Sequence, residues 1–384
     1  MQTKPHVAVI GAGAFGGWIA LFLLRRGARV TLLDAWGPGN SRASSGGETR
    51  IIRATYGANQ PYTRMAARAL QLWTEHEKQW NRKFLHRTGV LWMAAEGNDQ
   101  FERESLAALR EENIACEELS VRELRQRWPQ IQYDGVSWGL FEPSGGFLTA
   151  RLACQAVVQG FIAEGGEYRE VAAVPRDSEP GPWKALPLSD GSKLAADVYV
   201  FACGPWLGQM FPQTLGKKIR ATKQDIFFFG TPAGDDRFSE GNLPVWGDHR
   251  ERFFYGMPAN RGHGFKVADD TRGADFDPTS GERIASPETL KVVREFLAMR
   301  FPPLKDAPLL ETRVCQYENS PDEHFIVDRH PAASNVWLAG GGSGHGFKHG
   351  PAFGEMMADL VIREKEPDAR FRLARFADSD PTHH

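Results

Sequence analysis

The stretch His6-Val7-Ala8-Val9-Ile10-Gly11-Ala12-Gly13-Ala14-Phe15-Gly16 sets three glycines in G-x-G-x-x-G spacing directly after a short β-branched run. Few folds accommodate that order. The run suits a strand covered on both faces. Beyond the turn, Trp18, Ile19, Phe22 and Leu23 recur at helical spacing until Gly27, and residues 28–33 resume a buried strand that ends at Asp34. The predicted unit is strand, tight turn, helix, parallel strand. In such a unit Gly11 permits the turn, Gly13 lets backbone approach a pyrophosphate, and Gly16 lets the helix pack on the strand. Ala14 and Phe15 belong to the same cofactor-binding turn, whose helix end carries partial positive charge. Asp34 stands about 20 residues on, where an acid accepts the hydroxyls of a ribose without a 2′-phosphate. The spacing leaves NAD and FAD both open.

Further along, residues 64–80 carry Ala66, Leu70 and Trp73 at helical spacing, and residues 150–164 read as another helix. Residues 197–202 form a buried strand that runs into Cys203-Gly204-Pro205-Trp206. Residues 226–229 and 252–255 are aromatic strands separated by turn residues, as in an antiparallel sheet. Ser286 and Pro287 supply an N-cap and first residue for a helix over 290–299, which Pro302-Pro303 stops. Residues 335–339 form a strand entering Gly340-Gly341-Gly342-Ser343-Gly344-His345-Gly346, and a helix follows from Pro351 to about residue 363. A polar tail over 378–384 is expected to fray.

A chain of 384 residues exceeds one simple core and suits two domains. Forty-six basic and 48 acidic side chains give a net charge of −2, so no global field attracts nucleic acid or an anionic membrane. The start lacks the pattern of a secretory signal, and the apolar stretch over 18–24 is shorter than the ~18–20 residues of a membrane span. A cytoplasmic protein is expected. Cys116, Cys154, Cys203 and Cys315 show no C-x-x-C spacing, which argues against a zinc site or a disulfide framework, and no metal is expected.

Several segments together resemble the D-amino-acid-oxidase-type flavoproteins, and within them monomeric sarcosine oxidase, N-methyltryptophan oxidase and pipecolate oxidase. They are Gly11 to Gly16, Glu48-Thr49-Arg50-Ile51-Ile52-Arg53, Thr88-Gly89-Val90-Leu91, Phe141-Glu142-Pro143, Cys203-Gly204-Pro205-Trp206, Tyr255-Gly256 with Gly264-Phe265-Lys266, and the run from Cys315 to Lys348. The resemblance spans nearly the whole chain. It implies FAD, and an α/β fold (α+β overall) with a doubly wound FAD-binding domain over 1–47, 150–215 and 310–384. A substrate-binding domain with a mixed sheet is expected over 48–149 and 216–309. The partners implied are a small amino acid and dioxygen, acting on a monomer.

The same resemblance assigns roles. Cys315 stands where relatives attach the flavin through a thioether, and a buried core cysteine is the alternative. Arg53 and Lys348 match the cations that hold the substrate carboxylate, through a guanidinium fork and a point charge. Arg50 matches a residue beside the flavin ring, Thr49 contributes to the same cofactor-binding loop, and Lys266 matches the lysine that activates oxygen. Gly342, Gly344, His345 and Gly346, with Lys348, belong to the turn that faces the flavin pyrimidine edge. Tyr255, Tyr317 and His345 line the expected pocket. Two positions depart from the pattern: Asp270 and Gly46 replace histidines, so Asp270 is expected to face a substrate more basic or bulkier than sarcosine.

The expected reaction is oxidation of a C–N bond to an imine, with dioxygen reduced to hydrogen peroxide. A flavin dehydrogenase with another acceptor, a nicotinamide enzyme, and a flavin-binding module without turnover are the competing readings.

Overall fold

A computed structural model describes residues 4–175 and 177–379; residues 380–384 of the polar tail lie outside it. The glycine-turn unit forms where the sequence places it, as strand His6–Ile10, helix Gly16–Arg25 and strand Arg29–Asp34. The two strands pair in parallel, with Val7 opposite Val30 and Val9 opposite Leu32. Val198–Phe201 joins the other edge of the first strand, also in parallel, and is followed outward by Ala333–Gly340 and the antiparallel Ile326–His330. Glu167–Glu170 closes the far side of this six-stranded sheet.

Alternate side chains on a strand point to opposite faces, and both faces of this sheet are covered. Val7, Val9, Val30, Leu32 and Val200 join a core with Trp18, Ile19, Val157 and Phe353, from the helices Gly16–Arg25, Ala150–Ala163 and Gly350–Ile362. Ala8, Ile10, Leu33, Tyr199 and Phe201 pack against Trp183, Leu207 and Phe211 on the opposite face. Burial of each large apolar side chain contributes roughly 1.5–3 kcal/mol. That two-sided burial is why these strands read as unbroken apolar runs.

An eight-stranded mixed sheet forms the second layer. Its order is Leu309–Asn319, Arg220–Phe229, Phe265–Asp269, Phe253–Met257, Val245–His249, Val90–Ala95, Val136–Glu142 and Glu117–Ser120. Neighbours run antiparallel except Val245–His249 with Val90–Ala95. Helix Pro287–Arg300 covers it, with Ser286 Oγ accepting the Thr289 amide as its cap. Val293, Phe296 and Leu297 pack there on Phe227, Phe229, Trp246 and Phe265. The aromatic strand expected over 226–229 is the end of a ten-residue strand whose first half, Arg220 to Asp225, is polar. It pairs along Leu309–Asn319, with Gln224 opposite Cys315 and Thr222 opposite Tyr317. The chain therefore stays in the larger sheet until Asn319 and rejoins the six-stranded sheet at Ile326.

A small sheet of Thr49–Ile52, Gly146–Thr149 and Leu85–His86 carries the Thr49-Arg50 motif. Among the described residues no helix is long and apolar enough to cross a membrane.

Candidate active site

Two cavities meet at Arg50, Tyr317, Gly344 and Phe347. The first is a long cleft lined by Gly11, Gly13, Ala14, Phe15 and Asp34 at one end, and by Gly204, Glu318, Gly342 and Gly346 further along. Its glycine turn is built for close approach. Gly11 has φ +103°, and a Cβ there would lie 2.4 Å from the Ala202 carbonyl oxygen. A Cβ on Gly16 would lie 1.7 Å from the Gly11 carbonyl oxygen; Gly16 is not among the residues lining this cleft and serves the packing of helix on turn. No side chain caps the helix that begins at Gly16, so its positive end is open to a ligand. Asp34 accepts the Ala12 amide through Oδ2 at 2.7 Å and the Trp36 amide through Oδ1 at 2.9 Å. A carboxylate fixed in this way still presents lone pairs to hydroxyl donors. An elongated cleft with an uncapped helix end, a side-chain-free turn and a strand-end acid fits a dinucleotide.

The second cavity brings Arg53, Lys348 and Lys266 together with Tyr255, Asp270, Cys315, Tyr317 and His345. Lys348 is 4% exposed; its Nζ donates to the Tyr56 hydroxyl at 2.9 Å and to the His345 carbonyl at 2.8 Å. Arg53 lies over the same Tyr56 ring, 4.3 Å from its centroid, and 4.9 Å from that of Trp92. One of its amino groups donates to the Thr55 carbonyl. Neither cation has a carboxylate within ion-pair distance among the described residues. Burial, reinforced by Arg53, holds the Lys348 ammonium well below the usual lysine range.

Lys266 is 2% exposed and donates to the Thr49 carbonyl at 3.1 Å. Burial, with Arg50 adding to it, pushes its pKa down to about 7. Thr49 itself lines neither cavity; its carbonyl also accepts Arg50 Nη1 at 2.8 Å, so it positions both cations. Arg50 Nη2 reaches Cys315 Sγ at 3.0 Å. Strand Leu309–Asn319 is the wall between the cavities, and its period of two sorts the side chains. Cys315 faces the second cavity, Gln316 and Glu318 face the first, and Tyr317 stands at the junction.

Comparison with known proteins names this geometry. A profile of the FAD dependent oxidoreductase family matches residues 6–360. The chain belongs to that family. Monomeric sarcosine oxidase of Bacillus sp. (strain B-0618) is 30% identical over 371 residues, covering 95% of this chain and 94% of the relative. N-methyl-L-tryptophan oxidase of Salmonella typhi is 29% identical over 387 residues, covering 97% and 100%. Among solved structures, L-proline dehydrogenase from P. horikoshii superposes with a TM-score of 0.83 at 20% identity, over 99% of this chain and 100% of that one, which establishes the shared fold. FAD is the cofactor of this oxidoreductase.

Within the family frame, both departures gain a structural account. Asp270 lines the second cavity, but its charge is already paired. Its Oδ1 accepts the Tyr317 hydroxyl at 2.9 Å and its Oδ2 accepts Arg272 Nη1 at 3.0 Å. The anion expected to meet an extra substrate cation is thus compensated within the chain, by a residue only two positions away. Burial nonetheless raises the Asp270 carboxyl above the usual range, with Arg272 opposing. At Gly46 a Cβ would lie 1.9 Å from the Asn40 carbonyl oxygen, so this loop has no room for a histidine.

Several lining residues carried no local signal. Tyr56, Trp92 and Arg272 line the second cavity, and Glu318 the first. His349 lies behind, its Nε2 2.6 Å from the Tyr56 hydroxyl. Only the alternation of strand Leu309–Asn319 could have singled out Glu318 beforehand. Among the described residues no cluster of three or more His, Cys, Asp or Glu could hold a metal ion.

Proposed function

We propose that this FAD-dependent enzyme oxidises the carbon–nitrogen bond of a small amino acid with a secondary or ring nitrogen, giving an imine, with dioxygen reduced to hydrogen peroxide. The observation that carries the reading is the convergence of the half-buried Arg53 and the buried Lys348 on Tyr56, with no carboxylate at ion-pair distance among the described residues, in a cavity joined to the dinucleotide cleft. Buried cations call for an anion. A substrate carboxylate supplies it, accepting from the Arg53 fork and the Lys348 ammonium, and this fixes the α-carbon in place. The relatives named for sarcosine and N-methyl-L-tryptophan, both N-methyl amino acids, support a secondary amine.

Bound FAD supplies the acceptor for a hydride equivalent and the route of its electrons to dioxygen. The chain supplies orientation and charge. The Tyr317 hydroxyl, held by Asp270 and 3.3 Å from that of Tyr255, gives the amine a polar neighbour. Trp92, Phe253 and Tyr255 wall the cavity and limit water at the reacting carbon. Lys266 places a titratable positive charge beside Thr49 and Arg50, suited to stabilising reduced oxygen. Cys315 Sγ is the atom we assign to a covalent thioether with the cofactor.

The test is an anaerobic titration of the yellow protein with N-methyl, cyclic and primary amino acids. Bleaching of the flavin by N-substituted members, and colour that returns with air and peroxide, is the expected result. A flavin that no amino acid bleaches would reject the reading. Acid precipitation tests the linkage separately: colour should stay with the polypeptide, and should leave it in Cys315→Ser.

A further inference from the structure

Glu318 closes strand Leu309–Asn319 beneath the glycine-rich turn and is 8% exposed. Its Oε1 accepts the Gly342 amide at 3.1 Å, and its backbone carbonyl accepts the Ser343 amide at 3.0 Å, so it ties the strand to the turn. Its Oε2 is buried with no hydrogen-bond partner among the described residues. Burial pushes the carboxyl up to about 7, against the Gly342 and Gly341 amides. An orphaned buried oxygen of this kind destabilises the fold unless a ligand satisfies it.

Glycines border Oε2. A Cβ on Gly340 would lie 3.4 Å from Oε2 and one on Gly204 would lie 3.9 Å away. Gly204 and Gly342 line the first cavity together with Glu318. Along that cleft, Gly11, Gly13 and Asp34 mark one end, while Arg50, Tyr317 and Gly344 mark the junction with the substrate cavity. Glu318 belongs to the stretch between. It faces Gly204, two residues beyond the Ala202 carbonyl that abuts Gly11. FAD laid with its pyrophosphate at the helix end and its ring at the junction brings its polyol chain past this stretch.

The chemistry of the chain's possible neighbours then discriminates. A pyrophosphate oxygen is an acceptor and would pair only with a protonated carboxyl; a ring N–H is a donor and would pair only with an acceptor oxygen. A hydroxyl is both, and suits Oε2 in either protonation state. We propose that Glu318 is a cofactor ligand whose free Oε2 hydrogen-bonds a hydroxyl of the polyol chain joining the isoalloxazine to the pyrophosphate. The assignment rests on FAD as the cofactor and is independent of the amine substrate.

The experiment uses the full chain carrying Cys315→Ala, so that the cofactor can be removed, and titrates the apoprotein with FAD and separately with ADP, which lacks the polyol. Adding Glu318→Leu should weaken FAD tenfold or more and change ADP less than twofold. Adding Glu318→Gln should keep FAD affinity within about threefold. Undiminished FAD affinity in Glu318→Leu, or parallel loss of FAD and ADP, would overturn the proposal, the second outcome marking a collapsed turn. Should the leucine variant fail to fold, an FAD analogue with a deoxygenated polyol keeps the question answerable on the Cys315→Ala parent. Equal affinity of that parent for both flavins would overturn the proposal, and a tenfold loss would support it. A parent that takes up ADP but no FAD would overturn the cofactor assignment itself.

Discussion

Replacing Arg53 by methionine tests whether the second cavity is a carboxylate site. Methionine keeps an apolar chain against Tyr56 and Trp92, whose centroids lie 4.3 and 4.9 Å from the guanidinium carbon, while removing the charge and the fork. Losing one partner of a buried, hydrogen-bonded charge pair typically costs about 2–5 kcal/mol. Lys348 remains to hold the carboxylate, so the expectation lies near the lower middle of that range, at about 3 kcal/mol. At 1.4 kcal/mol per decade this is roughly 150-fold in Kd. Arg53→Lys keeps the charge without the fork and should lose about tenfold. The assay is spectral titration of the flavin, under anaerobic conditions, with a carboxylic acid that lacks the amine, beside the corresponding primary amide. The acid should weaken by the stated amounts and the amide hardly at all. Equal affinity of wild type and Arg53→Met for the acid, or equal losses for acid and amide, would refute the reasoning.

Two further outcomes follow from buried charge. Lys266, with its pKa near 7, loses its proton as pH rises through neutrality, so the rate of flavin reoxidation by dioxygen should fall between about pH 6 and pH 9. In Lys266→Met, stopped-flow reoxidation should be about a hundredfold slower at pH 6 and flat with pH. Lys348 is held below its usual range by burial and by Arg53, and an arriving carboxylate reverses that bias. Substrate-analogue binding should therefore raise the Lys348 pKa and take up protons across its titration range, detected by calorimetry over a pH series in buffers of different ionisation enthalpy, and Lys348→Met should abolish the uptake.

The nucleotide-binding half was legible because physics repeats there at short range. Strand His6–Ile10, helix Gly16–Arg25 and strand Arg29–Asp34 are set by contiguous apolar runs and a turn only glycine tolerates. Predicted helices over 64–80, 150–164 and 290–299 appear as Gln60–Trp80, Ala150–Ala163 and Pro287–Arg300. The larger sheet was harder to read. Residues Arg220 to Asp225 are mostly polar, and the buried ones among them, Thr222, Gln224 and Asp225, are held by hydrogen bonds from Asn319, Gly273 and Ser286 rather than by apolar packing, so hydrophobic alternation is absent. Arg53, Lys266, Cys315 and Lys348 emerged from resemblance and not from periodicity, since each comes from a different element and meets the others only after folding. Tyr56 and Arg272 had no such aid, and the resemblance gave Glu318 no role. Their meaning lies in partners 292, 2 and 24 residues away.

Arg50, Arg53, Lys266 and Lys348 lie in or at the edge of two joined cavities, whereas Asp270 is claimed by Arg272 and Tyr317 and Glu318 has its own unpartnered oxygen. Lys266 and Lys348 are buried with no carboxylate at ion-pair distance among the described residues, and bear a desolvation cost until a ligand completes the site. A substrate carboxylate is the group proposed to do so, while FAD stabilises the chain by filling the first cleft, so stability is linked to occupancy of both. At free FAD a thousand times its Kd, binding to the native state alone contributes about 4 kcal/mol. Apoprotein of the Cys315→Ala chain should therefore melt several degrees below its FAD-loaded form, and a carboxylate ligand should raise the loaded form's midpoint further. A carboxylate ligand that leaves the loaded form's midpoint unchanged would mean that the chain compensates these cations internally, and the carboxylate reading of Arg53 and Lys348 would lose its physical basis.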